Sequence, residues 1–141
     1  MTVTRPPLER LRKRADFLAA AKGHACAKGA VLVQARDRDD GTEVIRVGFT
    51  ATRRIGGAVV RNRAKRRLRE AARQIIPTLG KTGCDYVLIA RGGAVARPWP
   101  RLLDDVKSAL IRLAADLAAR KGVPGLGADP GSSPPPAQSP A

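Results

Sequence analysis

The chain has 141 residues, and its 27 lysines and arginines against 12 acidic residues give a formal net charge of +15. This length predicts one domain, and this charge predicts a polyanionic partner, most often nucleic acid and less often an acidic membrane surface. Because no apolar run approaches the roughly 18 residues of a membrane span and no signal peptide is recognisable, we expect a cytoplasmic protein with reduced thiols at Cys26 and Cys84.

A helix is predicted in the N-terminal stretch LERLRKRADFLAAAKG, residues 8–23. Its apolar residues recur at roughly helical spacing, and Gly23 is expected to end it. The residues expected to face the core are Leu11, Ala15, Leu18 and Ala21.

Two stretches rich in β-branched residues follow, GAVLVQARD and EVIRVGFTAT, on either side of the polar DRDDGT at residues 37–42. This arrangement predicts a β-hairpin with a polar loop. The apolar run CDYVLIA (Cys84–Ala90) predicts a buried strand. From Leu102 to Ala119 apolar residues recur three and four apart, which is typical of an amphipathic closing helix.

The most basic segment is RNRAKRRLRE (Arg61–Glu70), with six basic residues and one acid. On a helix from Val60 to Ile76, the apolar residues fall within about a third of the circle. These are Val60, Ala64, Leu68, Ala71, Ala72 and Ile75, and the opposite side carries Asn62, Lys65, Arg66, Arg69 and Arg73. A solvated surface helix normally interleaves acids at i,i+4, so their scarcity favours an anionic partner.

The predicted order is helix, strand, strand, helix, strand, helix. It indicates an α/β (α+β) two-layer sandwich with a single mixed sheet and packed helices. Residues 1–121 are assigned to this domain. Residues 122–141 are assigned to a disordered tail, because 13 of these 20 residues are Pro, Gly or Ser and bury too little apolar surface to offset the ordering entropy.

The stretch RVGFTATRRIGGAVVRNRAKRRLREAAR (Arg46–Arg73) resembles the protein subunit of bacterial ribonuclease P. That family has a strand, a small-residue turn with paired basic residues and a glycine, and then an Arg-Asn-Arg helix. RADF near the N-terminus and DYVLIARGGA (Asp85–Ala94) match two further blocks in the same order. The resemblance covers roughly residues 8–117.

The resemblance implies that the basic helix connects two parallel strands by a left-handed crossover, although right-handed crossovers dominate elsewhere. It also implies a catalytic RNA subunit that uses Mg²⁺ to remove the 5′ leader from precursor tRNA. The protein would bind this RNA and the single-stranded leader. We therefore expect no catalytic residue in the protein, no metal ion bound by the protein alone, and no membrane partner.

Two groups of residues carry over from the family by position. The surface for the RNA subunit comprises Arg61, Asn62, Arg63, Lys65, Arg66 and Arg69. The leader cleft comprises Phe17, Ala21, Leu32, Gln34, Arg53, Arg54 and Arg91. This chain departs from the family at Ala21 and Gln34, where aromatic residues are frequent, so we expect leader binding to depend more on hydrogen bonds and charge.

Three other readings compete with this one. A ribosomal or RNA-assembly protein would also be basic and α/β, but would lack a leader cleft. A DNA-binding module is disfavoured because no helix-turn-helix spacing or zinc-ligand pattern is present, and a structural protein with a merely charged surface fits least. The acids form no cluster spaced for two metal ions and His24 is the single histidine, which argues against a nuclease site in the protein.

Overall fold

The computed structural model describes residues 8–122, with side chains described for residues 8–119. Apart from Gly122, the predicted disordered tail lies outside this range. The elements are β1 (Leu8–Arg10), α1 (Arg14–Ala21), β2 (His24–Lys28), β3 (Val31–Asp37), β4 (Ile45–Ala51), α2 (Ala58–Leu79), β5 (Cys84–Ala90) and α3 (Trp99–Gly122). A 3₁₀ turn at Arg53–Ile55 lies between β4 and α2.

The five strands form one mixed sheet in the order β1-β4-β5-β3-β2. β4 runs parallel to both β1 and β5, whereas β3 runs antiparallel to both β5 and β2. The predicted α+β class with a single mixed sheet is therefore confirmed. α2 joins the neighbouring parallel strands β4 and β5, and the left hand of this crossover stays a prediction.

The helices lie on both faces of the sheet. α2 and α3 contribute to the main core with the side chains of alternate strand residues, among them Tyr86 and Leu88 of β5. Val87 points the other way, into a smaller cluster with Leu11 and Ala20, against which Phe17 packs. α1 thus adds a partial third layer to the predicted two-layer arrangement, and we call the side of the sheet that it covers the α1 face.

The predicted hairpin of the third and fourth strands is wrong. β3 and β4 do not pair, because β5 lies between them and pairs with both. β5 is an apolar run buried on both faces, so it is most stable as a central strand. The connecting loop is built around Arg38, whose guanidinium donates to the carbonyl oxygens of Val44 and Cys84. The loop is therefore held at the start of β5 and does not join two paired strands.

The predicted N-terminal helix begins later than expected. Leu8–Arg10 pairs with β4, and the Leu11 N–H donates to the Val47 carbonyl at 2.9 Å, so the chain stays extended until α1. Leu11 is buried in this extended segment, whereas Leu18 is 52% exposed and Ala21 is exposed. The predicted apolar face is therefore wrong beyond Leu11, and strands β1 and β2 are absent from the sequence-based prediction.

The basic helix, the third predicted strand and the closing helix agree with their predictions. α2 and α3 extend a few residues beyond their predicted bounds, whereas β5 has the bounds predicted for it. The predicted inner face of α2 is buried at Ala64, Leu68, Ala71, Ala72 and Ile75, while Val60 is half-buried. Within residues 8–122, no helix combines the length and apolar character needed to cross a membrane.

Candidate nucleic-acid interface

The side of α2 that faces away from the sheet and its flanks carry five basic side chains and one asparagine, which we call the basic stripe: Arg61, Asn62, Arg63, Lys65, Arg66 and Arg69. Asn62, Arg63, Arg66 and Arg69 are exposed, and Arg61 and Lys65 are half-buried. The inner face of α2 packs on the sheet, which fixes the direction of the stripe. The structure therefore brings all six predicted residues of the RNA-subunit surface onto one helix.

The only acid within the basic segment does not neutralise the stripe. The Arg73 Nη2 atom donates to Glu70 at 2.6 Å, and the Gln74 side chain donates to the same carboxylate oxygen. The Arg73 hydrogen bond is the main reason why the pKa of Glu70 lies below its ordinary value. Arg73, which sequence reasoning placed on the polar side, is thus engaged by Glu70, and the stripe keeps its positive field.

The amino-terminal end of α2 forms a small polar depression. Its volume is about 180 Å³, and it is lined by Ala51, Ala58, Arg61, Asn62 and Lys65. Gly57 caps the helix without a side-chain hydrogen bond, and among the described residues the buried Arg61 Nε has no hydrogen-bond partner. Helix amino termini and guanidinium groups both attract phosphate oxygens, so three stripe residues meet where a phosphate is chemically favoured.

Arg67 has a different role from its neighbours on α2. Its Nη1 atom donates to the carbonyl oxygens of Ala94 and Val95 at 2.6 and 2.7 Å. Its guanidinium also lies 5.6 Å from the centre of the Trp99 ring. Arg67 therefore binds the loop between β5 and α3 to the basic helix. Helical periodicity alone could not reveal this role.

The second surface is the α1 face of the sheet. Strand pairing places Gln34, Val87 and Gly48 in one row across β3, β5 and β4. The next row towards the carboxyl ends of β4 and β5 contains Leu32, Ile89 and Thr50. Side chains paired directly across strands point to the same face, so Leu32 and Gln34, two of the residues assigned to the leader cleft, share this surface.

Phe17 lies on α1 above this surface. Its ring is half-buried and packs over Gly48: a Cβ atom at position 48 would lie 2.5 Å from Phe17 Cε1. Glycine at 48 therefore provides the space that the ring occupies. Ala21, one helical turn later, ends α1 and is exposed.

The predicted cleft arginines lie at one end of the α1 face. Arg53 and Arg54 form the 3₁₀ turn after β4, Arg91 follows β5, and all three are exposed. β4 and β5 are parallel, so the residues that follow them meet at the same sheet edge, where the Thr52 N–H donates to the Ala90 carbonyl at 3.2 Å. The face is thus partly apolar in the middle and basic at this end.

A charged cluster at the opposite end of the α1 face was not predicted. Asp85, which is fully buried, accepts hydrogen bonds from Arg46 Nε and Nη2 at 2.8 and 2.7 Å and from Arg38 Nη1 at 2.8 Å. The Asp85 hydrogen bonds are the largest cause of the raised pKa of Arg46. Burial lowers the pKa of Arg38, but its hydrogen bonds to Asp40 and Asp85 together outweigh this effect and raise the pKa above its ordinary value. One sequence feature could have indicated this cluster: Asp85 is an acid inside the apolar run of β5.

Neither surface resembles a hydrolytic metal centre. Across residues 8–119, no group of three or more His, Cys, Asp or Glu side chains is placed to hold a metal ion. The chemistry that the two surfaces offer is binding: guanidinium and ammonium groups for phosphates, and an aromatic ring beside apolar and amide side chains for unpaired bases.

The chain resembles known proteins over most of its length. A profile of the ribonuclease P family matches residues 6–114. The ribonuclease P protein component of Caulobacter vibrioides (strain NA1000 / CB15N) is 65% identical over 109 residues, which cover 77% of this chain and 73% of that protein. That of Ruegeria pomeroyi is 56% identical over 107 residues, covering 74% and 86%.

Solved structures agree with these relatives. The ribonuclease P protein of Thermotoga maritima has a TM-score of 0.56 at 31% identity, covering 74% of this chain and 94% of that one. A Staphylococcus aureus ribonuclease P protein mutant with defective mRNA degradation activity has a TM-score of 0.63 at 25% identity, covering 74% and 87%.

Proposed function

Because the chain belongs to the ribonuclease P protein family, we propose that it assists a catalytic RNA subunit in removing the 5′ leader from precursor tRNA. It is a protein component of the bacterial type, and so a subunit of an RNA-processing endoribonuclease. In this proposal the RNA subunit uses Mg²⁺ and performs the hydrolysis. The protein contributes two binding surfaces, one for the RNA subunit and one for the leader.

The observation that carries the first assignment is the basic stripe. Five positive side chains within nine residues of one helix, without an acid between them, repel one another and destabilise an isolated helix. Contact with RNA phosphates relieves this repulsion and releases counterions. Among the described residues the buried Arg61 Nε has no hydrogen-bond partner, so a movement of this side chain towards a phosphate breaks no hydrogen bond at Nε.

The leader assignment is supported by the chemistry of the α1 face. A single strand exposes bases, which stack on aromatic rings whatever their identity. Phe17 supplies a ring, Leu32 and Gln34 supply an apolar and an amide side chain, and Arg91 supplies charge at one end. A ribosomal or RNA-assembly protein would need no such face, and no observation here favours that alternative.

The salt dependence of binding tests the assignment of the basic stripe. We expect Arg61→Ala with Arg63→Ala to weaken binding to the RNA subunit and to reduce the log–log salt slope by about two. The matched control is Arg101→Ala with Lys107→Ala, which removes two exposed charges from α3 and should leave the slope unchanged.

A structural role would give a different result. If these arginines only support the fold, the melting temperature falls and the salt slope stays the same. Because Arg61 is half-buried, the pair Arg63→Ala and Arg66→Ala, both exposed, repeats the test at low risk to folding. An unchanged slope in both pairs would remove the stripe from the RNA interface.

A further inference from the structure

The α1 helix has few attachments to the rest of the protein. It has eight residues, and its N-cap residue Lys13 makes no side-chain capping hydrogen bond. Ala20 is its one buried residue, with Phe17 packed at the edge of the same small cluster. Such a short helix is marginal by itself, so its position must come from its contacts with the sheet.

One polar contact joins the first turn of α1 to the sheet. Arg46 Nη1 donates to Asp16 Oδ2 at 3.2 Å. The other two nitrogens of the same guanidinium donate to the buried carboxylate of Asp85. Arg46 is 26% exposed and Asp16 is 21% exposed, so this contact is partly shielded from solvent and is weakened less by salt than a fully exposed ion pair.

This contact lies beside the ring that the leader cleft requires. Asp16 directly precedes Phe17, and Arg46 lies two residues before Gly48 on the same side of β4, where the ring packs. The two contacts therefore attach the first turn of α1 to one strand at adjacent points. The first is polar and directional, and it restricts rotation and sliding of the helix that carries the ring.

We propose that Arg46, anchored by the buried Asp85, acts through Asp16 as a positioning residue that holds Phe17 in the leader cleft. This inference rests on the proposed function of the α1 face. In this proposal Arg46 acts on the ring through Asp16, and each of its three nitrogens donates one hydrogen bond to a carboxylate of the protein. The order imposed on α1 before binding reduces the entropy lost when a leader base stacks on the ring.

The test changes Asp16 and keeps Arg46, because removing Arg46 would leave buried Asp85 with fewer partners and destabilise the fold. Asp16→Ala also removes a negative charge near a polyanion, so electrostatics alone predicts tighter leader binding. A positioning role of Asp16 predicts weaker leader binding instead. We expect Asp16→Ala in the assembled enzyme to weaken binding of leader-bearing precursor tRNA by about three- to fivefold, with mature tRNA unaffected.

Two further variants sharpen the measurement. Asp16→Asn keeps an oxygen that can accept a hydrogen bond from Arg46. It should therefore lose less affinity for leader-bearing precursor tRNA than Asp16→Ala. Asp104→Ala removes an exposed acid from α3 and is the matched control for charge; it should leave leader-dependent binding unchanged. Urea unfolding of each variant reports any change in stability separately.

A double-mutant cycle with Phe17→Leu separates the inference from the function on which it rests. If Asp16 acts through the ring, Asp16→Ala causes no further loss when Phe17 is already leucine. An equal loss in both backgrounds, no loss, or tighter binding by Asp16→Ala would overturn the positioning role while leaving the cleft intact. If Phe17→Leu alone leaves leader binding unchanged, the cleft assignment itself is wrong, and the positioning role fails with it.

Discussion

The close approach of Phe17 to β4 makes Gly48→Ala a sensitive perturbation of the proposed leader cleft. The new Cβ would lie 2.5 Å from Phe17 Cε1 and 2.6 Å from Cζ, whereas carbon atoms in contact are about 3.5–4.0 Å apart. The ring tip must therefore move by about 1 Å or more. Because the ring is half-buried, it can swing towards solvent without unfolding the domain.

The size of the effect follows from two terms. Overpacking of this kind costs about 1–3 kcal/mol of stability. Stacking of one base on an aromatic ring contributes about 1–3 kcal/mol, and each 1.4 kcal/mol corresponds to about a factor of ten in affinity. A displaced ring keeps part of its contact, so we expect binding of precursor tRNA with a leader of several nucleotides to weaken by about 5- to 20-fold.

The assay compares two ligands of the assembled enzyme at one salt concentration: precursor tRNA with the leader, and mature tRNA. We expect Gly48→Ala to lower the affinity for leader-bearing precursor tRNA only. Gly92→Ala is the matched control, since a Cβ at this exposed loop position meets no atom within 4 Å; it should change neither affinity. Equal losses for both ligands, or none for either with Gly48→Ala, would refute the placement of the ring in the cleft.

Three other changes have defined outcomes. Phe17→Leu keeps most of the apolar volume, so we expect weaker binding of leader-bearing precursor tRNA, unchanged binding of mature tRNA and little change in urea unfolding; loss for both ligands would contradict this. Arg67→Ala removes two hydrogen bonds to backbone carbonyls and the Trp99 contact, so we expect about 2–4 kcal/mol lower stability by urea unfolding with an unchanged salt slope for RNA binding. Deleting residues 122–141, which carry one charge, should leave RNA-subunit affinity and reconstituted cleavage nearly unchanged, and a tenfold loss would make this segment a contact.

Local periodicity predicted the elements whose apolar pattern continues along their whole length. α2 and α3 repeat apolar residues three and four apart over many turns, and β5 is a continuous apolar run, so each was predicted with nearly the observed bounds. β1 has three exposed residues and β2 is rich in alanine, so their strand character comes from pairing with neighbours and leaves little trace in the sequence.

Contacts between distant segments could not be predicted. The hairpin error arose because nothing local shows that β5 lies between β3 and β4. The same register sets Arg46 opposite Asp85, and a one-residue slip of either strand would place the two side chains on opposite faces of the sheet. For the candidate site, the resemblance supplied the residues of the basic stripe. The position of the Arg67 side chain could not be predicted, because it depends on carbonyl oxygens 27 and 28 residues away.

The central position of β5 has a consequence for how the chain folds. Until residue 84 is made, the described strands can pair only as two separate ribbons, β1 with β4 and β2 with β3, because in the described sheet the ribbons are joined through β5. Such non-local pairing slows folding. During synthesis, which proceeds from the amino terminus, the inner edges of β3 and β4 stay open to mispairing. Among the described strands, the last to be made is the one that joins the two ribbons into one sheet.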